Sequence, residues 1–171
     1  MKGGLQVTET EELEIIGQEE DTQKDKFLTF VLGKESYGIE IKNVTEIIGI
    51  QPITEVPELP DYIRGIVNLR GKIIPVVDMR LRFKKKFREY NERTCIIVVN
   101  IINASVGLIV DSVSEVIGIQ EEDIVSPPDM NQGLSNKYIK GIAKVENDVK
   151  LLLDCNELLS KDEFKNLENI K

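Results

Sequence analysis

Residues 62–79 read YIRGIVNLRGKIIPVVDM, and residues 138–155 read YIKGIAKVENDVKLLLDC. Set one above the other at an offset of 76 (138 − 62), they share Tyr, Ile, Gly, Ile and Asp in register. Most of the other pairs exchange one apolar residue for another. In the first copy Ile63, Ile66, Val67 and Leu69 lead to Arg70-Gly71-Lys72, and Ile73-Ile74-Pro75-Val76-Val77 follows. Two apolar runs around an Arg-Gly pair predict a tight β-hairpin in which glycine supplies a positive φ. Pro75 cannot donate to a ladder and favours an edge position. The copies differ at the turn: Asn68-Leu69-Arg70-Gly71 stands where the second has Lys144-Val145-Glu146-Asn147.

The echo extends upstream. Tyr37–Gln51 lies over Val106–Gln120 at an offset of 69 (107 − 38), and both runs end in Ile-Gly-Ile-Gln. Phe27–Val31 lies over Ile96–Asn100 at the same offset. The offset grows to 76 because the second loop, Glu121–Lys137, is seven residues longer. Each copy holds short β-branched runs punctuated by Gly or Asn, which signals a small barrel or sandwich. Ile39 and Ile41 alternate with Glu40 and Lys42, so one face of that strand is buried. The fold class expected is mainly β: two five-stranded barrels from an internal duplication, with a C-terminal helix. Closing such sheets removes exposed edges.

The expected organisation is a flexible acidic tail over 1–25, a double-barrel domain over 26–155 with repeats at about 27–79 and 95–155, and a C-terminal helix over 156–171. The tail carries eight acids: Glu9, Glu11, Glu12, Glu14, Glu19, Glu20, Asp21 and Asp25. Such composition with few apolar residues does not support a core. Asp154-x-x-Glu157 and Ser160-x-x-Glu163 are both capping-box patterns, and Phe164, Leu167 and Ile170 follow at helical spacing, placing the helix at roughly 157–169. A short helical turn is expected after Asp78, over Met79–Phe83.

Composition narrows the chemistry. The 171 residues carry a formal charge of −8 and contain no histidine. The commonest general base and metal ligand is therefore missing. No nucleophile-elbow, P-loop or dinucleotide-binding motif occurs. Glu121-Glu122-Asp123, the densest acidic cluster outside the tail, reads as a solvated loop. We expect a non-enzyme without cofactor or metal. Cys95 and Cys155 lie far apart in sequence and residues 1–26 are too polar for a signal peptide, so a reduced cytoplasmic setting is expected. No apolar run is long enough to span a bilayer. The basic run Lys84-Lys85-Lys86-Phe87-Arg88 keeps a small-barrel nucleic-acid binder open as an alternative. The acidic total and 5% aromatic content weigh against it. What remains is surface: Arg70 as a guanidinium on a stiff hairpin, and Val44, Ile47 and Ile48 as either core or the lining of a groove for a helix.

These residues resemble a known family. Phe27-Leu28-Thr29-Phe30, Tyr37-Gly38-Ile39-Glu40-Ile41, Val44-x-Glu46-Ile47 and above all Tyr62–Arg80, with Asn68-Leu69-Arg70-Gly71-x-Ile73-Ile74-Pro75-Val76-Val77-Asp78, are similar to the bacterial chemotaxis coupling proteins of the CheW family. Val106–Val113 resembles them too, and the likeness covers nearly everything after about residue 25. It implies two intertwined SH3-like five-stranded barrels around a shared core. It also implies a scaffold that joins the regulatory domain of the histidine kinase CheA to the cytoplasmic tips of chemoreceptors, in the cytoplasm and recruited to membrane-associated arrays. By position, Ile41, Val44, Glu46 and Arg70 match receptor-binding positions of the family, and Met130 matches a kinase-binding one. Because the same domain occurs within CheA, a separated regulatory domain of such a kinase is a further alternative.

Overall fold

The computed structural model describes residues 23–127 and 137–168. Most of the acidic tail, Met130 and the last three residues lie outside them. The described residues of the first copy form β1 (Lys26–Leu32), β2 (Glu35–Glu40), β3 (Val44–Gly49), β4 (Ile63–Leu69), β5 (Lys72–Asp78) and the short helix α1 (Met79–Arg82). Those of the second form β6 (Cys95–Ile101), β7 (Ala104–Val110), β8 (Ser112–Gly118), β9 (Ile124–Val125), β10 (Ile139–Val145), β11 (Asp148–Leu153) and helix α2 (Lys161–Glu168). The chain is mainly β, in two sheets ordered β8-β1-β2-β11-β10-β9 and β3-β6-β7-β5-β4.

The two sheets are not the two copies. Each takes the first hairpin of one copy and the remaining strands of the other: β1-β2 with β8–β11, and β6-β7 with β3–β5. The joins correspond: β2 runs parallel to β11 through Tyr37–Leu151, and β5 runs parallel to β7 through Val77–Leu108. The third strands β8 and β3 pair antiparallel with β1 and β6, each with one register shift. Beyond β3 the chain returns so that Thr54 bridges Ile66 on the far edge of its sheet. Beyond β8 it does the same through β9, which pairs with β10. These returns curl both sheets toward closure, as small barrels require.

The shared framework residues now have physical reasons. Tyr62 O accepts the Asp78 N–H at 2.7 Å, and Tyr138 O accepts the Asp154 N–H at 2.8 Å, so the Tyr and Asp of each copy close the base of its final hairpin. Gly65, at φ +142°, faces the returning segment so closely that a Cβ would stand 2.1 Å from Thr54 O. At the matching Gly141, a Cβ would stand 2.4 Å from Ile124 Cγ2. No larger side chain fits either crossing.

Burial follows strand parity. Ile97, Val99 and Ile101 of β6 join Leu28, Phe30 and Leu32 of β1 in a shared core between the sheets. Ile96 and Val98 point the other way, into a private core with Val67, Ile74, Val76 and Ile109. Phe27, Ile119, Ala143 and Leu152 form the private core of the six-stranded sheet. Burial on both faces explains why Ile96-Ile97-Val98-Val99 is unbroken apolar sequence rather than an alternation.

The C-terminal segment differs from its expected bounds. Asp154 caps only a 3-10 turn, Cys155–Glu157, and Leu158 and Leu159 bury themselves in the shared core. The α-helix starts after Ser160, whose Oγ accepts the Glu163 N–H (3.1 Å) while Glu163 accepts the Ser160 N–H (2.7 Å). Of two capping boxes, the second begins the helix because the first is followed by core side chains. Arg82 ties this segment to the first copy. Its Nε donates to Leu158 O (2.8 Å), and its two other nitrogens donate to Glu163 (3.2 and 3.1 Å). The guanidinium lies 4.3 Å from the Tyr62 ring centre and 5.0 Å from that of Tyr138, the two framework tyrosines.

Candidate interaction site

The turn that distinguishes the first copy is a two-residue hairpin between β4 and β5. Both residues have positive φ, Arg70 at 52° and Gly71 at 85°, so the arginine itself adopts the left-handed conformation. Reading Arg-Gly in the sequence accounts for the glycine but not for this. A turn with positive φ at both positions matches the twist of the flanking strands. It is locked by Asn68, whose Oδ1 accepts the Gly71 N–H at 2.8 Å. Lys72 adds a hydrogen bond from Nζ to Ser105 Oγ (3.0 Å). The side chain of Arg70 is 70% exposed, and its guanidinium donates to Glu46 of β3.

That pair joins opposite edges of the five-stranded sheet, since β3 is its first strand and β4 its last. An ion pair this exposed contributes little to stability. It does hold the guanidinium over the mouth of the sheet, with most of its surface free for a partner. The segment that supplies Glu46 also supplies Ile41, in a 3-10 turn, and Val44, at the start of β3. Both are half-buried against the shared core. A register shift between Val44 and Glu46 sets Val44 opposite Val99 and Glu46 opposite Val98, on different faces. Ile47 follows on the Val44 side, opposite Ile97, and is 43% exposed, whereas Ile48 packs into the private core. The two readings of Val44, Ile47 and Ile48 thus divide by residue: Ile48 is core, Ile47 is surface and Val44 lies between. The structure brings Glu46 and Arg70 together and places Ile41 and Val44 on the same continuous segment. Met130 lies outside the described residues.

A second constellation was not singled out in the sequence. Asp111 accepts two hydrogen bonds from Arg80 (2.7 Å each) and one from the Gly33 N–H (2.8 Å), with Arg88 3.4 Å away. Burial pushes the Asp111 carboxyl upward, but the hydrogen bonds from Arg80 and Gly33 and the charges of Arg80 and Arg88 outweigh it and hold the group below its usual range. Arg80 in turn is held cationic by its hydrogen bond to Asp111 against the effect of burial. Asp78 caps α1 through the Leu81 N–H and accepts the Tyr90 hydroxyl at 2.7 Å. Burial, the hydrogen bond to Asp78 and its charge raise the Tyr90 pKa. These are structural assemblies with all polar atoms matched; no buried polar side-chain atom among the described residues lacks a partner. A signal existed in the sequence, Asp-Met-Arg at 78–80 and Asp111 after a β run, but nothing in it joins residues 31 apart.

Lys85 of the basic run donates to Glu35, and Arg88 reaches Asp111. Two of its cations are therefore engaged within the chain. Among the described residues, no three of His, Cys, Asp and Glu gather as a metal site, and no helix is long and apolar enough to cross a membrane. Cys95 and Cys155 are free thiols.

Three comparisons bear on this geometry. The model of the CheW-like domain matches residues 26–163. The chemotaxis protein CheW of Klebsiella aerogenes is 37% identical over 150 residues, covering 88% of this chain and 90% of that protein. That of Treponema pallidum is 33% identical over 149 residues, covering 85% and 88%. Among solved structures, the scaffolding protein TtCheW of Thermoanaerobacter tengcongensis superposes with a TM-score of 0.75 at 38% identity, over 81% of this chain and 94% of that one.

Proposed function

This chain belongs to the CheW-like family, and on that premise we propose that it couples chemoreceptors to the histidine kinase CheA. It is a scaffold protein of chemotaxis; the further reading concerns what it joins and where. The cytoplasmic tip of a receptor is a helical hairpin. It meets the sheet edge where the segment carrying Ile41, Val44 and Glu46 is joined to the Arg70 turn, while the regulatory domain of CheA binds elsewhere, with Met130 at that contact. The chain acts in the cytoplasm, recruited to membrane-associated receptor arrays, and performs no catalysis itself.

The observation that carries the receptor face is the Arg70 turn. It is where the duplicated framework departs from itself, it is held by the Asn68–Gly71 hydrogen bond, and it presents an exposed guanidinium paired to the segment that carries the half-buried Ile41 and Val44. That combination suits a helix bearing both carboxylates and apolar side chains. A coupler transmits a receptor state only if its affinity differs between states, so a stiff contact serves better than a yielding one.

The test is reconstitution of the chain with CheA and a receptor cytoplasmic fragment, read as receptor-dependent kinase activity. Arg70→Ala is expected to leave the melting curve unchanged and weaken receptor binding by about tenfold or more, the worth of a charge-assisted hydrogen bond. The double exchange Glu46→Arg with Arg70→Glu restores the internal ion pair with its sign reversed. If the pair serves only the fold, the exchange restores coupling; if Arg70 meets the receptor, coupling stays lost. Full activity in Arg70→Ala would sink the assignment.

A further inference from the structure

A ridge of positive charge lies on this acidic protein, away from the Arg70 turn. After α1 the chain folds tightly: the Lys84 N–H donates to Leu81 O (3.0 Å), the Lys85 N–H to Arg80 O (2.7 Å), and Arg80 to Lys86 O (3.2 Å). Lys84 takes a positive φ of 62°. The segment is thus held by its backbone, leaving its side chains to point outward. Phe87 is 45% exposed, an unusual position for a phenylalanine in a chain with so few aromatics. Its ring stands 5.5 Å from Tyr90 at 65°, and the Arg64 guanidinium lies 4.9 Å from its centre.

The charges around that ring are not balanced. Arg80, Lys85 and Arg88 hold Asp111 and Glu35 between them. Arg64, Lys84 and Lys86 have no carboxylate within 4 Å among the described residues. Comparing the copies shows why for Arg64. Its counterpart Lys140 pairs with Glu40, and the residue matching Glu40 in the other copy is Ile109, buried and apolar. The cation is kept while its partner is replaced, and the guanidinium rests on Phe87 instead.

The same chain carries a sequence of complementary charge. Residues 8–17 read TETEELEIIG, with Glu9, Glu11, Glu12 and Glu14 around Leu13, Ile15 and Ile16. Residues 1–22 hold seven acids against Lys2, a net of −6 (1 − 7) out of the −8 of the whole chain. The geometry permits the meeting. The Arg80–Asp111–Gly33 and Lys85–Glu35 contacts fix the ridge beside the β1–β2 turn. β1 spans from Lys26 to that turn, a rise of roughly 20 Å at about 3.3 Å per residue. The seven steps from Gln23 back to Ile16 reach up to about 24 Å when extended.

We propose that the acidic segment Glu9–Ile16 docks on the ridge formed by Arg64, Lys84, Lys86, Phe87 and Arg88. Phe87 receives the aliphatic side chains, and the cations receive the glutamates. The ridge is then covered by the protein's own chain, and any other acidic ligand must displace it. This surface is independent of the receptor face, so either reading can fail without the other.

The experiment uses the full chain with Cys95→Ser and a spin label on Glu12→Cys. Burial and the Asp154 charge push the remaining thiol, Cys155, up to about 12, so it does not label at neutral pH. Amide signals of residues 84–88 are expected to be lost to paramagnetic broadening at low salt. They should recover at 1 M salt, where the Debye length is about 3 Å, and in Lys84→Glu/Lys86→Glu/Phe87→Ala. Those three side chains are exposed, so amide dispersion in the triple variant confirms that the fold is kept. Broadening spread evenly over the surface, centred on the surface hollow lined by Lys24, Lys42 and Lys140, or unchanged in the triple variant would overturn the proposal.

Discussion

Asp111 is where a single residue carries most weight. It holds Arg80 through two hydrogen bonds, fixes the β1–β2 turn through the Gly33 N–H, and is largely shielded from water. Asp111→Asn keeps the shape and the Gly33 contact but leaves Arg80 without its counter-charge. The expected loss is about 2–3 kcal/mol at pH 7, read from urea midpoints at constant m-value. The pH dependence has a definite sign. An unfolded aspartate titrates at about 3.9, and the folded carboxyl titrates lower. Its contribution is complete above the unfolded value and disappears as pH falls through the folded one. The gap between the parent and Asp111→Asn is therefore expected to be constant from pH 7 to 5 and to shrink below about pH 4. A gap that widens on acidification would contradict the assigned ion pair. Arg70 is the opposite case, exposed and loosely paired, so its worth is to be sought in binding rather than in stability. That contrast was not legible in the sequence, where Arg70 and Arg80 both sit in one motif and neither carboxylate partner is near.

Turns and caps decide how far each element could be read ahead. The β4–β5 turn was visible because glycine marks it, and the capping boxes because their residues are close in sequence. The β6–β7 turn was not, since Ile102-Asn103 is a poor advertisement for a hairpin. Ile102 has φ +48° and is 57% exposed, a β-branched side chain in the left-handed region and in water. Ile102→Asn is expected to stabilise the protein by about 1 kcal/mol, a rise in Tm of about 2–4 °C for a chain of this size. No change would show that the strain is absorbed elsewhere. The helix α2 depends on a different residue. Arg82, 8% exposed at its side chain, donates to Leu158 and Glu163 and packs on two tyrosines. Arg82→Ala removes the donor to the Leu158 carbonyl and leaves the Glu163 carboxylate with only the Ser160 N–H and no counter-charge, and is expected to cost about 3 kcal/mol. Ser160→Ala, which removes only the cap, should cost about 1 kcal/mol. If the two losses are equal, Arg82 does not link the helix to the first copy.

At the scale of the molecule, the duplication was plain in the repeated Tyr-Ile-x-Gly-Ile and Ile-Gly-Ile-Gln, because a repeated framework leaves repeated residues. Intertwined barrels were implied by the family resemblance, but which strands the copies exchange was not legible in the residues. Both arrangements, each hairpin with its own copy or with the other, bury the same residues on the same strand faces, so periodicity cannot choose between them. Loop length and the two parallel joins do. β2 meets β11 and β5 meets β7, and no run of chain within one copy supplies either contact. A consequence follows for folding. The fragment 1–90 contains β1–β5 and the fragment 91–171 contains β6–β11, but neither holds a complete sheet or a complete core. The shared core draws on both copies, and so does each private one, with Val76 against Ile96 and Phe27 against Ala143. Each fragment alone is expected to lack dispersed amide signals and a cooperative melt. Mixed in equal amounts they should regain both, with a midpoint that rises with concentration, because association replaces the covalent link. A fragment 1–90 that folds cooperatively by itself would mean that β1-β2 can pair within its own copy. The exchanged arrangement would then be a preference of the full chain rather than a requirement of its parts.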